Sequence, residues 1–258
     1  MIRLPSLFGK WSRAGSERPD TPGGALPADR SPASGAAAID RLGMRVALEG
    51  LRDRGYAPET VFDIGASDGS WTEMALSVWP VARYYCFEPL SERRAALERL
   101  GRSHRGRIEP VFLGIGDEDT ELSLGVTDGL WDSSFAYEGS VARRVAVRRL
   151  DTLLKEGRIP PADFVKIDVQ GFERRVIRGG EQAFFRVAFV LMECNFFAFC
   201  GDMVTLDETI GFMAARGFIP YEFVDFLRRP LDGAMGQCDI LFVRRGHPLV
   251  SDRRWSGP

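Results

Sequence analysis

Five short runs of almost unbroken β-branched, aromatic and aliphatic residues follow one another along the chain. They are VFDIG (61–65), RYYCFEP (83–89), IEPVFLGIG (108–116), ADFVKIDV (162–169) and VAFVLMEC (187–194). A strand with one wet face would alternate apolar and polar residues. These runs do not, so both faces of each are predicted to be covered. Helix-length segments separate them at 71–78, 91–100, 172–184 and 205–216. Buried strands alternating with helices dictate an α/β, doubly wound parallel sheet. Two further runs, FIPYEFV (218–224) and CDILFVRR (238–245), are joined only by FLRRPLDGAMGQ, too short for another crossover helix. They are predicted to close a seven-stranded, mostly parallel sheet with an antiparallel C-terminal strand. Residues 120–149 interrupt the pattern with ELSLGV, a Trp- and Ser-bearing loop and RRVAVRRL, as in a β-hairpin or an extended insertion.

With 258 residues, 45% hydrophobic and 27% charged, the chain has the composition of a globular enzyme with one full core. Residues 14–35 are rich in Pro, Gly, Ala and Ser and bury too little apolar surface to offset their ordering entropy. Residues 1–35 are therefore expected to be a flexible tail, 36–250 the folded domain and 251–258 a second tail. A helix is expected near the start of the domain, where Ile39, Leu42, Val46 and Leu51 recur.

The greasiest stretch, 183–200, is broken by Arg186, Glu193 and Asn195, short of the ~18 uninterrupted apolar residues of a membrane span. MIRLPSLFGKWSR at the start is basic and partly apolar, with no continuous apolar core and no small-residue cleavage site. A cytoplasmic location without an integral membrane segment is expected. The Leu4, Leu7, Phe8 and Trp11 cluster leaves open a docking peptide or a weak membrane contact. A formal net charge of −2 argues against a nucleic-acid partner. The four cysteines, Cys86, Cys194, Cys200 and Cys238, contain no CxxC pair, so neither a metal cluster nor a disulfide framework is expected.

Chemistry concentrates at the strand ends. In VFDIGASDGSWT (61–72) a buried strand carries Asp63 and turns through Gly65 and Gly69 into a helix. Such a turn lets a ligand approach the backbone and offers it free N–H groups, although the glycine spacing is not that of the dinucleotide fingerprint. The next strand ends in Glu88, 19 residues beyond Gly69, with Pro89 to stop it. A carboxylate there can accept hydrogen bonds from both hydroxyls of a ribose. The third cluster is KIDVQGFE (166–173), where Lys166 and Asp168 interrupt an apolar strand, Gly171 turns the chain and Glu173 opens a helix. Buried charges require partners. The fifth run brings Glu193 and Asn195 to the neighbouring strand end, and ligands of open parallel sheets bind beyond such ends.

DIGASDG, FEP, RRLDTLL (148–154) and KIDVQGFERRVIRGG (166–180) together resemble the FkbM-type methyltransferases over roughly residues 58–245. The resemblance implies a class I, Rossmann-like methyltransferase fold, S-adenosylmethionine as cofactor, and transfer to a hydroxyl oxygen of a sugar, glycan or natural product. It implies that the turn containing Asp63, Gly65, Ala66, Ser67 and Asp68 holds the methionine part of the cofactor. Glu88 with Pro89 would bind its ribose, and Ile115, Gly116 and Asp117, at the end of the third strand, would flank the adenine. One departure is Gln170, where the family usually has Glu before the glycine.

On this reading Asp168 lies nearest the chemistry, touching the cofactor and the acceptor hydroxyl. Glu193 is the second carboxylate, and Lys166 or Asn195 are orienting partners. A divalent metal held between the carboxylates is the less favoured alternative; N-methylation, a nicotinamide-dependent reductase and a non-catalytic cofactor-binding module are others. The acceptor and the oligomeric state stay open. Trp131, Ser133, Ser134, Phe135 and Tyr137 form an aromatic and hydroxyl loop suited to an acceptor lid or to simple packing. His104 and His247 are expected at the surface.

Overall fold

A computed structural model describes residues 43–126, 141–199 and 203–256. In chain order its elements are α1 (Met44–Asp53), β1 (Thr60–Ile64), α2 (Ser70–Val78), β2 (Arg83–Phe87), α3 (Arg94–Ser103) and β3 (Ile108–Val111). There follow β4 (Gly114–Ile115), β5 (Thr120–Val126), β6 (Val141–Arg148), α4 (Leu150–Lys155), β7 (Phe164–Ile167) and α5 (Glu173–Arg178). The last are β8 (Phe189–Asn195), α6 (Leu206–Ala214), β9 (Phe218–Arg228) and β10 (Met235–Arg244).

Seven strands form one sheet in the order β3-β2-β1-β7-β8-β10-β9. All the pairings from β3 across to β8 are parallel. β10 runs antiparallel to both β8 and β9, which delivers the expected closing hairpin and the class I methyltransferase order of strands.

The alternation of side chains along each strand feeds two cores. Phe62, Ile64, Val165, Ile167, Val190, Met192, Ile240 and Phe242 pack on one face with Leu150, Leu153, Val176, Ile177 and Met213 from α4, α5 and α6. Val61, Phe164, Phe189, Leu191, Leu241 and Val243 pack on the other with Leu48, Leu51, Trp71, Ala75 and Leu97 from α1, α2 and α3. Burial on both faces is the reason the runs read as continuous.

The third run departs from expectation. It is cut after Val111, where the Leu113 amide turns back to the Val111 carbonyl (3.0 Å). Gly114 and Ile115 then pair with β6 in a separate three-stranded sheet, β4-β6-β5. β5 and β6 form the expected antiparallel hairpin. The helix expected over 172–184 stops at Arg178, and a short 3-10 turn at Ala183–Arg186 follows. Close approach explains the interruption: a Cβ on Gly179 would lie 1.8 Å from the Gly116 carbonyl oxygen. In the RRLDTLL segment, Asp151 Oδ1 accepts the Gln182 and Ala183 amides, so that segment ties the small sheet to the 3-10 turn. The residues expected as an N-terminal tail, and Ala36–Leu42 of the first expected helix, lie outside the described residues.

Candidate active site

At the end of β1 the backbone takes three left-handed steps, at Gly65 (φ 80°), Ser67 (φ 49°) and Gly69 (φ 86°). Gly65 and Ala66 both donate to the Phe87 carbonyl at 3.0 Å, which pins this turn to the end of β2. Only glycine fits at 65, because a Cβ there would lie 1.9 Å from the Asp168 carbonyl oxygen. The ends of β1 and β7 therefore touch.

Ser67 is a non-glycine residue in the left-handed region, a conformation that stores strain and gathers at functional sites. Its amide donates to Glu88 Oε2 at 2.8 Å, and Glu88 Oε1 accepts the Leu90 amide at 2.9 Å once Pro89 has turned the chain. Glu88 is only 6% exposed, and burial pushes its carboxyl above the ordinary range despite those two amides. Each of its oxygens keeps a further lone pair for a ligand hydroxyl. The Ser67 hydroxyl is buried and makes no hydrogen bond, an orphaned polar group beside the cofactor turn. Asp68 Oδ1 accepts the Ser70 amide at 3.0 Å and so opens α2. A nucleoside-bearing cofactor fits these residues: a buried acceptor pair at Glu88, an unsatisfied hydroxyl at Ser67 and a left-handed turn that brings the chain close without side chains in the way.

Asp63, on β1, is wholly buried, and its Oδ2 accepts the Thr72 hydroxyl at 2.6 Å. Lys166 stands directly across from it on β7. The ammonium lies 3.1 Å from Asp63 Oδ1, 3.4 Å from Asp168 Oδ2 and 2.9 Å from the Gly65 carbonyl oxygen. Burial alone would lower the pKa of Lys166, and it raises that of Asp63. The carboxylates of Asp63 and Asp168 outweigh burial at the lysine and hold its ammonium above the usual range. Lys166 is thus held by one hydrogen bond and two carboxylate ion pairs. Its ion pair to Asp168 links that residue to the buried Asp63.

Asp168 is the open member of the cluster, its side chain 37% exposed. Gln170, left-handed at φ 54°, donates from Nε2 to Asp168 Oδ1 at 2.8 Å. Glu173 holds that loop by accepting the Gly171 amide (3.0 Å) and the Val169 amide (3.3 Å) on one oxygen. Burial, aided by the Asp168 charge, pushes Glu173 up to about 7.

Glu193 accepts Gln237 Nε2 at 2.8 Å, and the same amide reaches Asn195 Oδ1 at 3.0 Å. Burial and then the charges of Asp168, Asp239 and Glu173 drive the Glu193 carboxyl well above its ordinary value. Asp239, opposite Glu193 on β10, is pushed up to about 7 by burial and then by Asp168 and Asp225. Asp225 is in turn the β9 partner of Asp239. At Glu173 and Asp239, crowding and burial thus bring proton exchange near neutrality. Among the described residues no group of three His, Cys, Asp or Glu side chains is arranged to hold a metal ion.

The structure thus gathers Asp63, Gly65, Ala66, Ser67, Asp68, Glu88, Pro89, Lys166, Asp168, Glu193 and Asn195 along adjacent strand ends. It does not bring Ile115, Gly116 and Asp117 to the end of the third strand. β3 finishes at Val111, and the three belong to the second sheet and the loop after it. There Ile115 is core, Gly116 backs onto Gly179, and Asp117 accepts Arg175 Nε at 2.5 Å. Phe112 and Leu113 are the residues that leave β3. His247 is half-buried rather than at the surface, edge-on to Phe189 and Tyr56, and its Nδ1 accepts the Leu249 amide. His104 closes α3, its backbone amide bonded to the Leu100 carbonyl. Asp225 and Asp239 were missed from sequence; the signal was faint, an acid near the start of CDILFVRR and another just past the end of FIPYEFV, which already carries Glu222. Trp131, Ser133, Ser134, Phe135 and Tyr137 lie outside the described residues.

Two curated relatives are similar to the chain. The 2-O-methyltransferase NoeI of Sinorhizobium fredii is 30% identical over 153 residues, covering 52% of this chain and 62% of that protein. The hexuronic acid methyltransferase AglP of Haloferax volcanii is 20% identical over 156 residues, covering 60% and 64%. The chain spans less than two thirds of the length of either. Among solved structures, precorrin-6y C5,15-methyltransferase from Geobacter metallireducens superposes with a TM-score of 0.45 at 13% identity, covering 83% of this chain and 93% of that one. The model of the methyltransferase FkbM domain matches residues 63–220, from the buried aspartate of β1 into β9, and the chain belongs to that family.

Proposed function

We propose that this protein is an S-adenosylmethionine-dependent O-methyltransferase whose acceptor is a hydroxyl of a sugar, glycan or natural product. Family membership and the cofactor-shaped turn support methyl transfer. The names of the two relatives, a 2-O-methyltransferase and a hexuronic acid methyltransferase, support a sugar hydroxyl. The observation that carries the oxygen acceptor is the open Asp168 carboxylate, tethered by Lys166 and Gln170 beside the Gly65–Gly69 turn.

When bound, the cofactor supplies a methyl group made electrophilic by its sulfonium. Glu88 would receive the ribose hydroxyls on its two remaining lone pairs, and the unpaired Ser67 hydroxyl would take a polar group nearby. Asp168 accepts a hydrogen bond from the acceptor hydroxyl and so aims an oxygen lone pair along the line of displacement. The acceptor oxygen would take the methyl carbon as the sulfur–methyl bond breaks and S-adenosylhomocysteine leaves, and Asp168 would take the hydroxyl proton. Lys166 and Gln170 keep that carboxylate from rotating away. Glu193, driven well above its ordinary value, and Asp239, pushed up to about 7, complete an acidic lining beside Asp168.

The test is Asp168→Asn, which keeps the shape and removes the charge. Release of S-adenosylhomocysteine with a panel of saccharide acceptors is expected to fall by about 10²–10⁴-fold with cofactor affinity unchanged. Wild-type turnover in that variant would remove Asp168 as the base, and absence of cofactor binding in the parent would remove the whole reading.

A further inference from the structure

Arg174 and Arg178 stand one turn apart on α5, and Arg216 follows the end of α6. Their guanidiniums gather around one ring, that of Phe212 on α6, at 5.2, 5.8 and 3.7 Å from its centroid. Among the described residues none of the three forms an ion pair with a carboxylate. Their neighbour Arg175 shows the ordinary arrangement, its Nε 2.5 Å from Asp117. Two acids of α6, Asp207 and Glu208, act on Arg174 at a distance, but both are engaged elsewhere. Asp207 accepts the Thr205 hydroxyl at 2.6 Å and Glu208 the Thr205 amide at 3.0 Å, in the capping box of that helix. Arg216 commits one nitrogen, Nη1, to the Phe212 carbonyl at 3.3 Å. The Nε atoms of Arg174 and Arg216 are buried and meet no acceptor among the described residues. Partial burial foremost, and then the charges of Arg178 and Arg216, draw Arg174 below the ordinary arginine range against the pull of the two acids.

Three cations around one ring repel one another. The chain as a whole carries a formal net charge of −2, so carboxylates are not scarce, yet none is placed to neutralise these three. Donors left this way are completed by an anion from outside the fold. The chemistry of the donors selects the anion. Each guanidinium is a flat fork of N–H groups that matches two oxygens at a time. A carboxylate has two oxygens and one charge, enough for a single fork. A phosphate monoester has three free oxygens and about two charges, enough to engage forks from α5 and from the end of α6 together. We infer that Arg174, Arg178 and Arg216 form a binding site for a phosphate group. The site shares no residue with the cofactor turn or the Asp168 cluster, and it does not rest on the reading of Asp168 as the base.

The experiment is calorimetric titration of the full chain at one ionic strength, fixed with chloride. The probes are inorganic phosphate, glucose 1-phosphate, glucose, and phosphatidylcholine vesicles containing phosphatidic acid. The parent is expected to bind inorganic phosphate and to ignore glucose. Arg174→Gln with Arg178→Gln is expected to weaken phosphate binding on the order of tenfold or more. Arg83→Gln with Arg99→Gln, exposed arginines of β2 and α3, should leave it unchanged. Tighter binding of glucose 1-phosphate than of the vesicles assigns the phosphate to a soluble ester, and the reverse order assigns it to a lipid headgroup. S-adenosylmethionine affinity should stay parental throughout. Without phosphate, the α5 variant should melt at or above the parental temperature, because like charges have been removed. Absence of phosphate binding by the parent overturns the inference. Equal weakening in the Arg83 and Arg99 variant also overturns it, as general attraction to arginine. So does a drop of several degrees in the phosphate-free melting temperature of the α5 variant, which would make the arginines a packing layer over Phe212.

Discussion

Asp239 stands directly opposite Glu193 across the antiparallel β8–β10 pair, so two carboxyls occupy one rung of the sheet. Like charges placed this way cannot both ionise cheaply, and burial adds to the cost. Burial foremost, aided at each by the Asp168 charge, makes Asp239 and Glu173 hold their protons up to about pH 7. A carboxyl whose folded pKa lies above its unfolded value binds more protons in the folded state. Its stabilising contribution is therefore present at low pH and lost as pH rises from about 4 to about 7. The melting temperature is expected to decline across that window, and Asp239→Asn should flatten the decline. A scan of melting temperature against pH for both proteins checks this; a parental profile rising through the window would contradict it.

Lys166→Met should be among the most damaging single changes. It strands Asp63, which is wholly buried, with only the Thr72 hydroxyl beside it. Breaking a buried pair on one side costs about 3–5 kcal/mol. Adding Asp63→Asn should recover a large part of the loss. Denaturant unfolding of the two single variants and the double variant measures the coupling, and simple additivity would show that the pair does not act as a unit.

Glu88→Ala should weaken S-adenosylmethionine binding by about tenfold or more, because two charge-assisted hydrogen bonds to the ribose are removed. It also releases the Ser67 and Leu90 amides. Titration calorimetry reads the affinity and circular dichroism the fold. An unchanged dissociation constant would take the ribose away from this residue.

Gln170→Glu places another negative charge between Asp168 and a Glu193 already crowded by carboxyls. The expected result is weaker methyl transfer with the activity profile displaced to higher pH, at unchanged cofactor affinity. A pH–rate profile identical to the parent's would show that Gln170 does not tune the cluster.

Much of the fold was legible because burial on both faces leaves an unmistakable apolar run. Where a run crossed from one sheet to another, the signal vanished. Val111 and Ile115 are equally greasy, and nothing in the residues says that one ends β3 while the other pairs with β6. α4 was missed because six residues are too few to display a helical period. At the site, Lys166 and Asp168 stood out as charges inside an apolar strand, and the structure supplied the missing partner in Asp63. Asp239 could not be found the same way. Its position opposite Glu193 depends on the register of an antiparallel pair, and the β9 side of that register is reset by an irregularity between Asp239 and Ile240.

The contact of Gly65 with the Asp168 carbonyl has an evolutionary corollary. No side chain can grow between the 65–69 turn and the end of β7, so those two parts cannot drift apart by single substitutions. New acceptors must be accommodated elsewhere. The freedom lies at the far end of the same edge, around Phe197 and the β9–β10 hairpin, where side chains still face open space. Libraries aimed at altered acceptor choice should vary that end and leave residues 63–69 and 166–171 untouched.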